Sequence, residues 1–174
     1  MMTPMEAASR IRDVPDFPKK GIVFKDITPL LCDAEAFACV IDELCVPFSK
    51  TRIDIVAGIE SRGFLLATPV AYRLKAGVVP IRKKGKLPRE TRSVDYQLEY
   101  GVGTLEAHAD AFSKNASVLL VDDVLATGGT AKASCDLIEA LGARIVGLAF
   151  LIELSSLGGR EKLPGRDIHS LFVY

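Results

Sequence analysis

The chain has 174 residues, of which 49% are hydrophobic and 25% charged, proportions typical of one soluble globular domain and not of a disordered or fibrous protein. Its 22 basic and 22 acidic side chains give no net charge, which argues against a dedicated nucleic-acid or membrane-surface binder. The longest apolar stretch, residues 145–152, is too short to cross a bilayer, and the N-terminus lacks the apolar core of a signal peptide. We therefore expect a single domain over residues 1–174, located in the cytoplasm.

Residues 33–58 carry a helix pattern followed by a strand pattern. Asp33 is suited to cap a helix, because its side chain can accept hydrogen bonds from the first main-chain N–H groups. The helix is predicted by an apolar stripe at i, i+3, i+4 and i+7, formed by Phe37, Val40, Ile41 and Leu44. The β-branched run at 53–57 then predicts a short strand that ends at Gly58.

The next segment predicts a second helix and a second strand. The helix is expected to begin near Phe64 and to end at Gly77, which suits the left-handed position that follows many helices. Residues 78–81 have the composition of a strand. Pro80 has no N–H to donate, which indicates that one side of this strand lacks a ladder partner.

A polar and basic segment at residues 82–92 lacks apolar periodicity, so it predicts a long exposed loop. Two short runs on either side of the Gly-Val-Gly sequence at 101–103 predict a β-hairpin. Because apolar anchors are few, we expect the whole segment 82–103 to form a flexible lid within the domain.

Three more elements are predicted toward the C-terminus. Residues 118–121 are a continuous apolar run, typical of a central strand covered on both faces. A helix is expected after Gly129, ending at Gly142, and its apolar face is formed by Leu137, Ile138 and Leu141. Residues 145–152 predict a further buried strand. Because strands alternate with helices, we predict an α/β fold with a central, mostly parallel sheet flanked by helices.

The cysteines do not indicate a metal site. Cys32, Cys39, Cys45 and Cys135 form no CxxC pair, and the two histidines, at positions 108 and 169, are far apart in the sequence. We expect free thiols in a reducing compartment, and no catalytic cysteine.

The most informative stretch follows the predicted central strand, because ligands of open α/β sheets bind beyond the carboxyl ends of strands. Residues 118–130 read Val-Leu-Leu-Val-Asp-Asp-Val-Leu-Ala-Thr-Gly-Gly-Thr. The last five N–H groups can converge on an anion at a helix N-terminus, with two threonine hydroxyls as further donors. Asp122 and Asp123 would repel a polyphosphate but suit sugar hydroxyls. The pattern predicts a ribose 5-phosphate site; the alternative is a capped helix with solvated aspartates.

This stretch resembles the phosphoribosyl pyrophosphate motif of type I phosphoribosyltransferases. Further blocks narrow the resemblance to the adenine phosphoribosyltransferase family and extend it over nearly the whole chain; they are the sequences at 16–18, 21–29, 60–64, 82–88 and 98–101. Several blocks in the right order make chance a poor explanation. Neither a GxxxxGK[ST] loop nor a GxGxxG fingerprint occurs, so nucleoside triphosphate and dinucleotide folds are not indicated.

The resemblance implies that phosphoribosyl pyrophosphate is bound by residues after three strands. These are Asp122, Asp123, Ala126, Thr127, Gly128, Gly129, Thr130, Ser61, Arg62, Arg82 and Lys86. The leaving pyrophosphate would lie against Ser61 and Arg62, in a loop where similar enzymes have a cis peptide bond, and against Arg82 and Lys86. The alternative for these cations is a solvated surface.

The resemblance also implies an adenine site. Main-chain groups at Val23, Phe24 and Lys25 would supply an acceptor for the 6-amino group and a donor for N1, and the side chains of Phe24 and Val124 would enclose the ring. Phe24 is alternatively an ordinary core residue. Lys25 stands where an arginine is expected and lacks the planar, bidentate guanidinium group.

The implied activity is a purine-salvage transferase that converts adenine and 5-phosphoribosyl 1-pyrophosphate to AMP and pyrophosphate. Mg²⁺ would be held mainly by oxygens of the substrate, without a protein metal site. Glu99, on the predicted lid, would be the catalytic residue that moves a proton at the purine. Similar enzymes are homodimers, and we expect neither nucleic-acid nor membrane partners.

Two other functions remain open at this point. The same fold could act on a 6-oxopurine such as xanthine or hypoxanthine, in which the donor and acceptor at N1 and position 6 are inverted. It could also be a regulator that binds nucleic acid and senses the sugar phosphate, although the balanced charge and the length do not support this. A structural protein without a ligand is the least favoured.

Overall fold

The computed structural model describes residues 2–97 and 101–174. The chain divides into two compact units, of which the first ends at Glu43 and the second begins at Leu44. The single domain expected for the chain therefore stays a prediction. Within the described ranges, no helix has the length and hydropathy needed to cross a membrane.

The first unit contains a two-stranded antiparallel sheet and short helices. Its elements are α1 (Pro4–Ala8), β1 (Arg12–Pro15), β2 (Val23–Asp26), α2 (Thr28–Cys32) and the beginning of α3 (Ala34–Cys45). The predicted start of α3 is confirmed, because Asp33 Oδ1 accepts hydrogen bonds of 3.1 Å from the N–H groups of Glu35 and Ala36. The four elements before it were not predicted, since each is too short to show a periodic pattern.

The second unit is built on a seven-stranded sheet. Its elements are β3 (Ile55–Ile59), α4 (Gly63–Leu74), β4 (Gly77–Lys83), β5 (Thr91–Gln97), β6 (Val102–His108), β7 (Ser117–Leu125), α5 (Gly129–Ala140), β8 (Arg144–Glu153) and β9 (Ile168–Val173), with 3-10 helices at Val46–Phe48, Ser155–Leu157 and Gly159–Lys162. The strand order is β5-β6-β4-β3-β7-β8-β9. Strand β6 pairs antiparallel with both neighbours, and the other pairs are parallel. The predicted α/β class with a mostly parallel sheet is confirmed.

Helices α4 and α5 cover opposite faces of this sheet. Ala57 and Leu120 belong to the apolar core that includes Ile138 of α5. Gly58 faces α4 instead, since an added Cβ would lie 2.7 Å from Cβ of Ala67. Alternate residues of a strand point to opposite faces. The apolar run predicted for the central strand is therefore explained by burial on both sides.

The end of α4 differs from the prediction. Lys75, and not Gly77, takes the left-handed conformation, with φ of 56°, and its N–H bonds to carbonyl oxygens of the last helical turn. Gly77 is already the first residue of β4, where its N–H donates to the carbonyl oxygen of Asp54 at 2.9 Å. The glycine is thus needed neither as a cap nor for a positive φ.

The basic segment at 82–92 is more regular than the predicted loop. Arg82 and Lys83 belong to β4, because they pair with β6, and Thr91 begins β5, so the connection spans only residues 84–90. Pro80 pairs with Gly58 of β3 on one side, whereas pairing with β6 on the other side begins only at Arg82. The missing N–H of Pro80 predicted that one side lacks a partner at this position.

The predicted hairpin is confirmed as β5 and β6, which pair in antiparallel register from Thr91 opposite His108 to Gln97 opposite Val102. Apolar anchors are present in it, since Val94 and Tyr96 pack against the main core. That the segment 82–103 acts as a lid stays a prediction.

Candidate active site

The candidate phosphate and ribose residues lie beyond or at the ends of three adjacent parallel strands. Strand β3 leads into Ser61 and Arg62, β4 contains Arg82 near its end, and β7 carries Asp122 and Asp123. Because parallel strands have their carboxyl ends at one edge of the sheet, the segments that the sequence singled out separately lie at the same edge.

The two aspartates are strand residues, not loop residues as the sequence pattern indicated. Strand β7 continues to Leu125 because its pairing with β8 extends to that residue. Asp123 is buried, and its Oδ2 forms an ion pair of 2.6 Å with Nε of Arg62. Asp122 Oδ1 accepts a hydrogen bond of 2.9 Å from the N–H of Asp123. Arg62 is therefore paired inside the site and is not a solvated loop arginine.

The pKa values of both aspartates are shifted upward. Burial, followed by repulsion from Asp123, raises the pKa of Asp122 well above its usual range. Burial also raises the pKa of Asp123, although the Arg62 guanidinium opposes this shift. Two carboxylates that are poorly solvated gain from hydroxyl donors, which supply hydrogen bonds without adding negative charge. This chemistry fits a sugar diol.

Gly63, the first residue of α4, allows the helix to approach the aspartates. An added Cβ would lie 2.7 Å from Asp122 Oδ1 and 3.1 Å from the carbonyl oxygen of Val121. The first distance is shorter than Cβ atoms show in real structures and the second is unusually tight, so a side chain at this point would require a shift of Asp122 or of the helix. The Ser61-Arg62-Gly63 sequence thus combines a cation with a close backbone approach.

Residues 126–130, here called the glycine loop, connect β7 to α5. Gly128 has φ of 77° and precedes the first residue of α5, so the chain enters the helix through a left-handed residue. A small cavity of about 80 Å³ is lined by Asp122 and residues 124–131. The N-terminal N–H groups of a 12-residue helix attract anions, so the cavity suits a compact phosphate group.

Glu60 orients the cation of strand β4 and was not singled out from the sequence. Its Oε2 accepts hydrogen bonds from Arg82 Nε at 3.2 Å and from the Lys83 N–H at 2.9 Å. Burial raises the pKa of Glu60, but these two hydrogen bonds, together with the positive charges of Arg82 and Lys86, more than offset it, so the pKa lies below its usual value. No local pattern around Glu60 signals this, because its partners are more than 20 residues away.

The other two pyrophosphate candidates are exposed. The side chain of Lys86 is exposed, while its carbonyl oxygen accepts a hydrogen bond of 3.2 Å from the Arg82 guanidinium. Ser61 is also exposed, and the peptide bond that precedes it is cis, as the resemblance implied. Their contact with a pyrophosphate stays a prediction.

The candidate adenine residues of the first unit lie on β2. Phe24 is half-buried and packs edge-on against Phe17, with ring centroids 5.2 Å apart, so it is not a core residue. Lys25 Nζ donates to Asp13 Oδ1 at 2.7 Å across the β1–β2 pair. Val124 lies on β7 of the second unit. The joint contact of these residues with adenine stays a prediction.

Two further predictions concern catalysis and metal binding. Glu99, the predicted catalytic residue, lies outside the described residues. Within the described part of the chain, no group of three or more histidine, cysteine or acidic side chains is arranged to hold a metal ion.

Comparisons of this chain with known proteins all indicate the same family. The family model described as "Phosphoribosyl transferase domain" matches residues 31–166. The adenine phosphoribosyltransferase of Symbiobacterium thermophilum is 57% identical over 170 residues, which cover 98% of this chain and 100% of that protein.

Solved structures agree. The crystal structure of adenine phosphoribosyltransferase from Thermoanaerobacter pseudethanolicus has a TM-score of 0.96 and 52% identity, covering 99% of this chain and 100% of that one. The enzyme from Saccharomyces cerevisiae, complexed with D-2,5-dideoxy-2,5-imino-altritol 1,6-bisphosphate and adenine, has a TM-score of 0.92 and 37% identity over 97% of each chain. By sequence and by fold, this chain belongs to the phosphoribosyl transferase family and, within it, to the adenine phosphoribosyltransferases.

Proposed function

We propose that the protein is a glycosyltransferase of purine salvage that converts adenine and 5-phosphoribosyl 1-pyrophosphate to AMP and pyrophosphate. The observation that carries this proposal is the segment at the carboxyl end of β7. There, two buried or half-buried aspartates lead directly into the glycine loop at the N-terminus of α5. The yeast relative, whose structure contains an iminosugar bisphosphate and adenine, supports the same pair of ligand types.

In the proposed reaction, N9 of adenine forms a bond to C1′ of the ribose while the bond from C1′ to the pyrophosphate oxygen breaks. The glycine loop binds the 5-phosphate, and Asp122 and Asp123 accept hydrogen bonds from the ribose hydroxyls. Arg62, Arg82 and Lys86 neutralise charge that develops on the leaving pyrophosphate. Glu99 takes the N9 proton, and in the reverse direction returns it. These tasks are positioning and charge stabilisation, without a covalent enzyme intermediate.

Magnesium enters this proposal with the substrate. Mg²⁺ prefers oxygen ligands and keeps several waters, so it binds through substrate phosphates and one or two carboxylates more often than in an all-protein cage. Phosphoribosyl pyrophosphate supplies phosphate and hydroxyl oxygens, and Asp122 and Asp123 supply the nearby carboxylates. We therefore propose a Mg²⁺-dependent enzyme whose metal is held mainly by the substrate.

Recognition of adenine is assigned to the main chain of β2. In the first unit, β2 pairs with β1 in antiparallel register from Val23 opposite Pro15 to Asp26 opposite Arg12, which places the three candidate residues consecutively on one strand. An acceptor for the 6-amino group and a donor for N1 match adenine. A 6-oxopurine inverts this pattern and would leave buried polar groups unpaired, at a cost of about 1–3 kcal/mol each.

The proposed location is the cytoplasm, and the proposed assembly is a homodimer. None of the four cysteines forms a disulfide, which fits a reducing compartment. The outer face of α4 exposes Leu65 and Tyr72, at 51% and 84% of their surfaces, which is the kind of apolar surface that a second copy can cover. Light scattering coupled to size exclusion would give twice the chain mass for a dimer.

The experiment that tests the activity is a coupled assay of pyrophosphate release with adenine, hypoxanthine, guanine and xanthine in turn. We expect kcat/KM for adenine to exceed that for each 6-oxopurine by at least tenfold. Comparable values for hypoxanthine would reject the adenine assignment and retain the fold. Absence of turnover with every base, together with salt-dependent binding in gel shifts, would favour the nucleic-acid regulator.

A further inference from the structure

The glycine loop is in close contact with a segment that follows β8. A Cβ added to Gly128 would collide with the carbonyl oxygen of Gly159, and a Cβ added to Gly159 would collide with the carbonyl oxygen of Ala126. The two backbones therefore meet at a distance that only two glycines allow. Gly128 also needs its left-handed φ of 77°, whereas the demand on Gly159 is purely steric.

This contact brings to the loop a residue that does not line its cavity. The cavity is lined by Asp122 and residues 124–131, and Gly159 is not among the lining residues. A loop that binds phosphate must point its N–H groups at the anion and its carbonyl oxygens elsewhere, since a carbonyl oxygen repels an anion. The carbonyl oxygen of Ala126 lies against Gly159, which is possible because Gly159 has no Cβ.

The position of Gly159 is itself fixed by its neighbour. Arg160 makes a two-point contact with the buried Glu153, from Nε at 2.7 Å and from a terminal nitrogen at 2.8 Å. A further terminal nitrogen donates to the carbonyl oxygen of Ile168 on β9 at 3.2 Å. Bidentate arginine–carboxylate pairs fix orientation as well as distance. Gly159 is thus tied to the last residue of β8 and to β9.

We propose that Gly159, held by the Arg160–Glu153 pair, is a positioning residue for the 5-phosphate: it supports the glycine loop so that its N–H groups converge on the phosphate. The inference rests on the proposed function and deepens it, because it assigns part of the affinity for the phosphate group to a segment that touches neither substrate. Affinity for the nucleoside part of the ligand should not depend on Gly159.

The test compares AMP with adenosine, which lacks only the phosphate. Calorimetry gives the ratio of the two dissociation constants for wild type and for Gly159→Ala. Because a displacement of about 1 Å can cost about 10²-fold, we expect the substitution to lower the preference for AMP by about 10- to 100-fold and to change adenosine binding little. Gly77→Ala is the matched control, since its added Cβ would meet nothing nearer than 3.7 Å.

A second variant keeps the inference testable if Gly159→Ala does not fold. Arg160→Lys retains the positive charge but loses the two-point contact, and should lower the same ratio in the same direction. An unchanged ratio in folded Gly159→Ala, or in Arg160→Lys if only that variant folds, would overturn the inference. Equal weakening of AMP and adenosine would also overturn it, since that is the result of general disruption. Wild-type turnover of adenine is measured first, so failure of the proposed function is recognised separately.

Discussion

Arg62 Nε lies 2.6 Å from Asp123 Oδ2, and this ion pair connects the N-terminal cap of α4 to strand β7. Asp123 is buried, with 6% of its surface exposed, so removing Arg62 would leave a buried carboxylate without its cation. Arg62 is proposed to bind the pyrophosphate and Asp123 to bind the ribose, so these two proposed binding residues are already paired with each other in the protein without substrate. Substitution of either residue should affect both parts of phosphoribosyl pyrophosphate.

The aspartates can be tested by neutral, similarly shaped substitutions. Asp122→Asn and Asp123→Asn should each lower kcat/KM for phosphoribosyl pyrophosphate by roughly tenfold to a hundredfold, because a hydrogen bond to a charged group is worth about 1.5–3 kcal/mol. The dissociation constant of adenine should change less. Asp136→Asn, in an exposed pair with Lys132 on α5, is the control and should leave kcat/KM unchanged. Normal kinetics in both site variants would remove the diol clamp from the mechanism.

Asp122→Asn should also stabilise the protein near neutral pH. Burial and Asp123 raise the pKa of Asp122 in the folded state above its unfolded value, so the charged form is disfavoured by folding. This penalty is fully present above the folded pKa, declines as the pH falls from the folded to the unfolded pKa, and is absent below the unfolded pKa. Each pKa unit corresponds to about 1.4 kcal/mol, and each kcal/mol to about 2–4 °C in Tm for a chain of this size.

Scanning calorimetry at several pH values measures this effect. The gain in Tm of Asp122→Asn over wild type should be largest at neutral pH and should shrink in acid. A variant that is less stable than wild type at neutral pH would contradict the raised pKa.

Gly63→Ala should damage the site through a single methyl group. The added Cβ would lie 2.7 Å from Asp122 Oδ1, so the aspartate or the helix must shift. We expect a loss of about 1–3 kcal/mol in the free energy of unfolding, as in other overpacked sites, and a fall in kcat/KM for phosphoribosyl pyrophosphate of about tenfold or more. Denaturant unfolding and steady-state kinetics measure the two effects, with Gly77→Ala as the control. Unchanged kinetics would show that Asp122 tolerates displacement.

Glu99→Gln tests the proposed proton transfer. A positioned acid–base group contributes about 10²–10⁴-fold, so kcat should fall by that order while the dissociation constant of AMP stays nearly the same. Glu90→Gln, at an exposed position before β5, serves as the matched control. A kcat close to that of wild type would exclude Glu99 from the mechanism and leave the substrate assignment intact.

The lid can be tested by limited proteolysis. Lys84 and Lys86 are exposed in the connection between β4 and β5, and Lys114 is exposed in the turn before β7. If the segment closes over substrates, AMP or phosphoribosyl pyrophosphate should slow tryptic cleavage at Lys84 and Lys86 and leave the rate at Lys114 unchanged. Equal rates at all three sites with and without ligand would count against a lid.

Features that depend on local pattern could be predicted from the sequence. Asp33 caps α3 as expected, and the apolar run at 118–121 is an inner strand of the sheet, because capping and burial depend directly on residue type. Both aspartates lie near the carboxyl end of β7, and the glycine loop follows that end, as expected.

Features that depend on distant partners could not be predicted. Glu60 acts on Arg82 and Lys83, and Gly159 supports a loop about 30 residues earlier in the chain. Strand β9 was missed because its residues are mostly half-buried at the end of the sheet order, so no continuous apolar run marks it. Lys75 takes a left-handed conformation that residue preference alone assigns to a glycine.

Strand β7 extends beyond the end of its neighbour β3, and this difference in length has a consequence for aggregation. Its ladder with β3 ends at Val121, whereas its ladder with β8 continues to Leu125, so residues 122–125 present a strand edge of the kind that templates pairing with another chain. The N-terminus of α4 packs against that edge, with Gly63 close to Val121 and Asp122. The residues proposed to form the binding site thus also cover this exposed strand edge, and a chain that loses this packing exposes a template for intermolecular sheet formation.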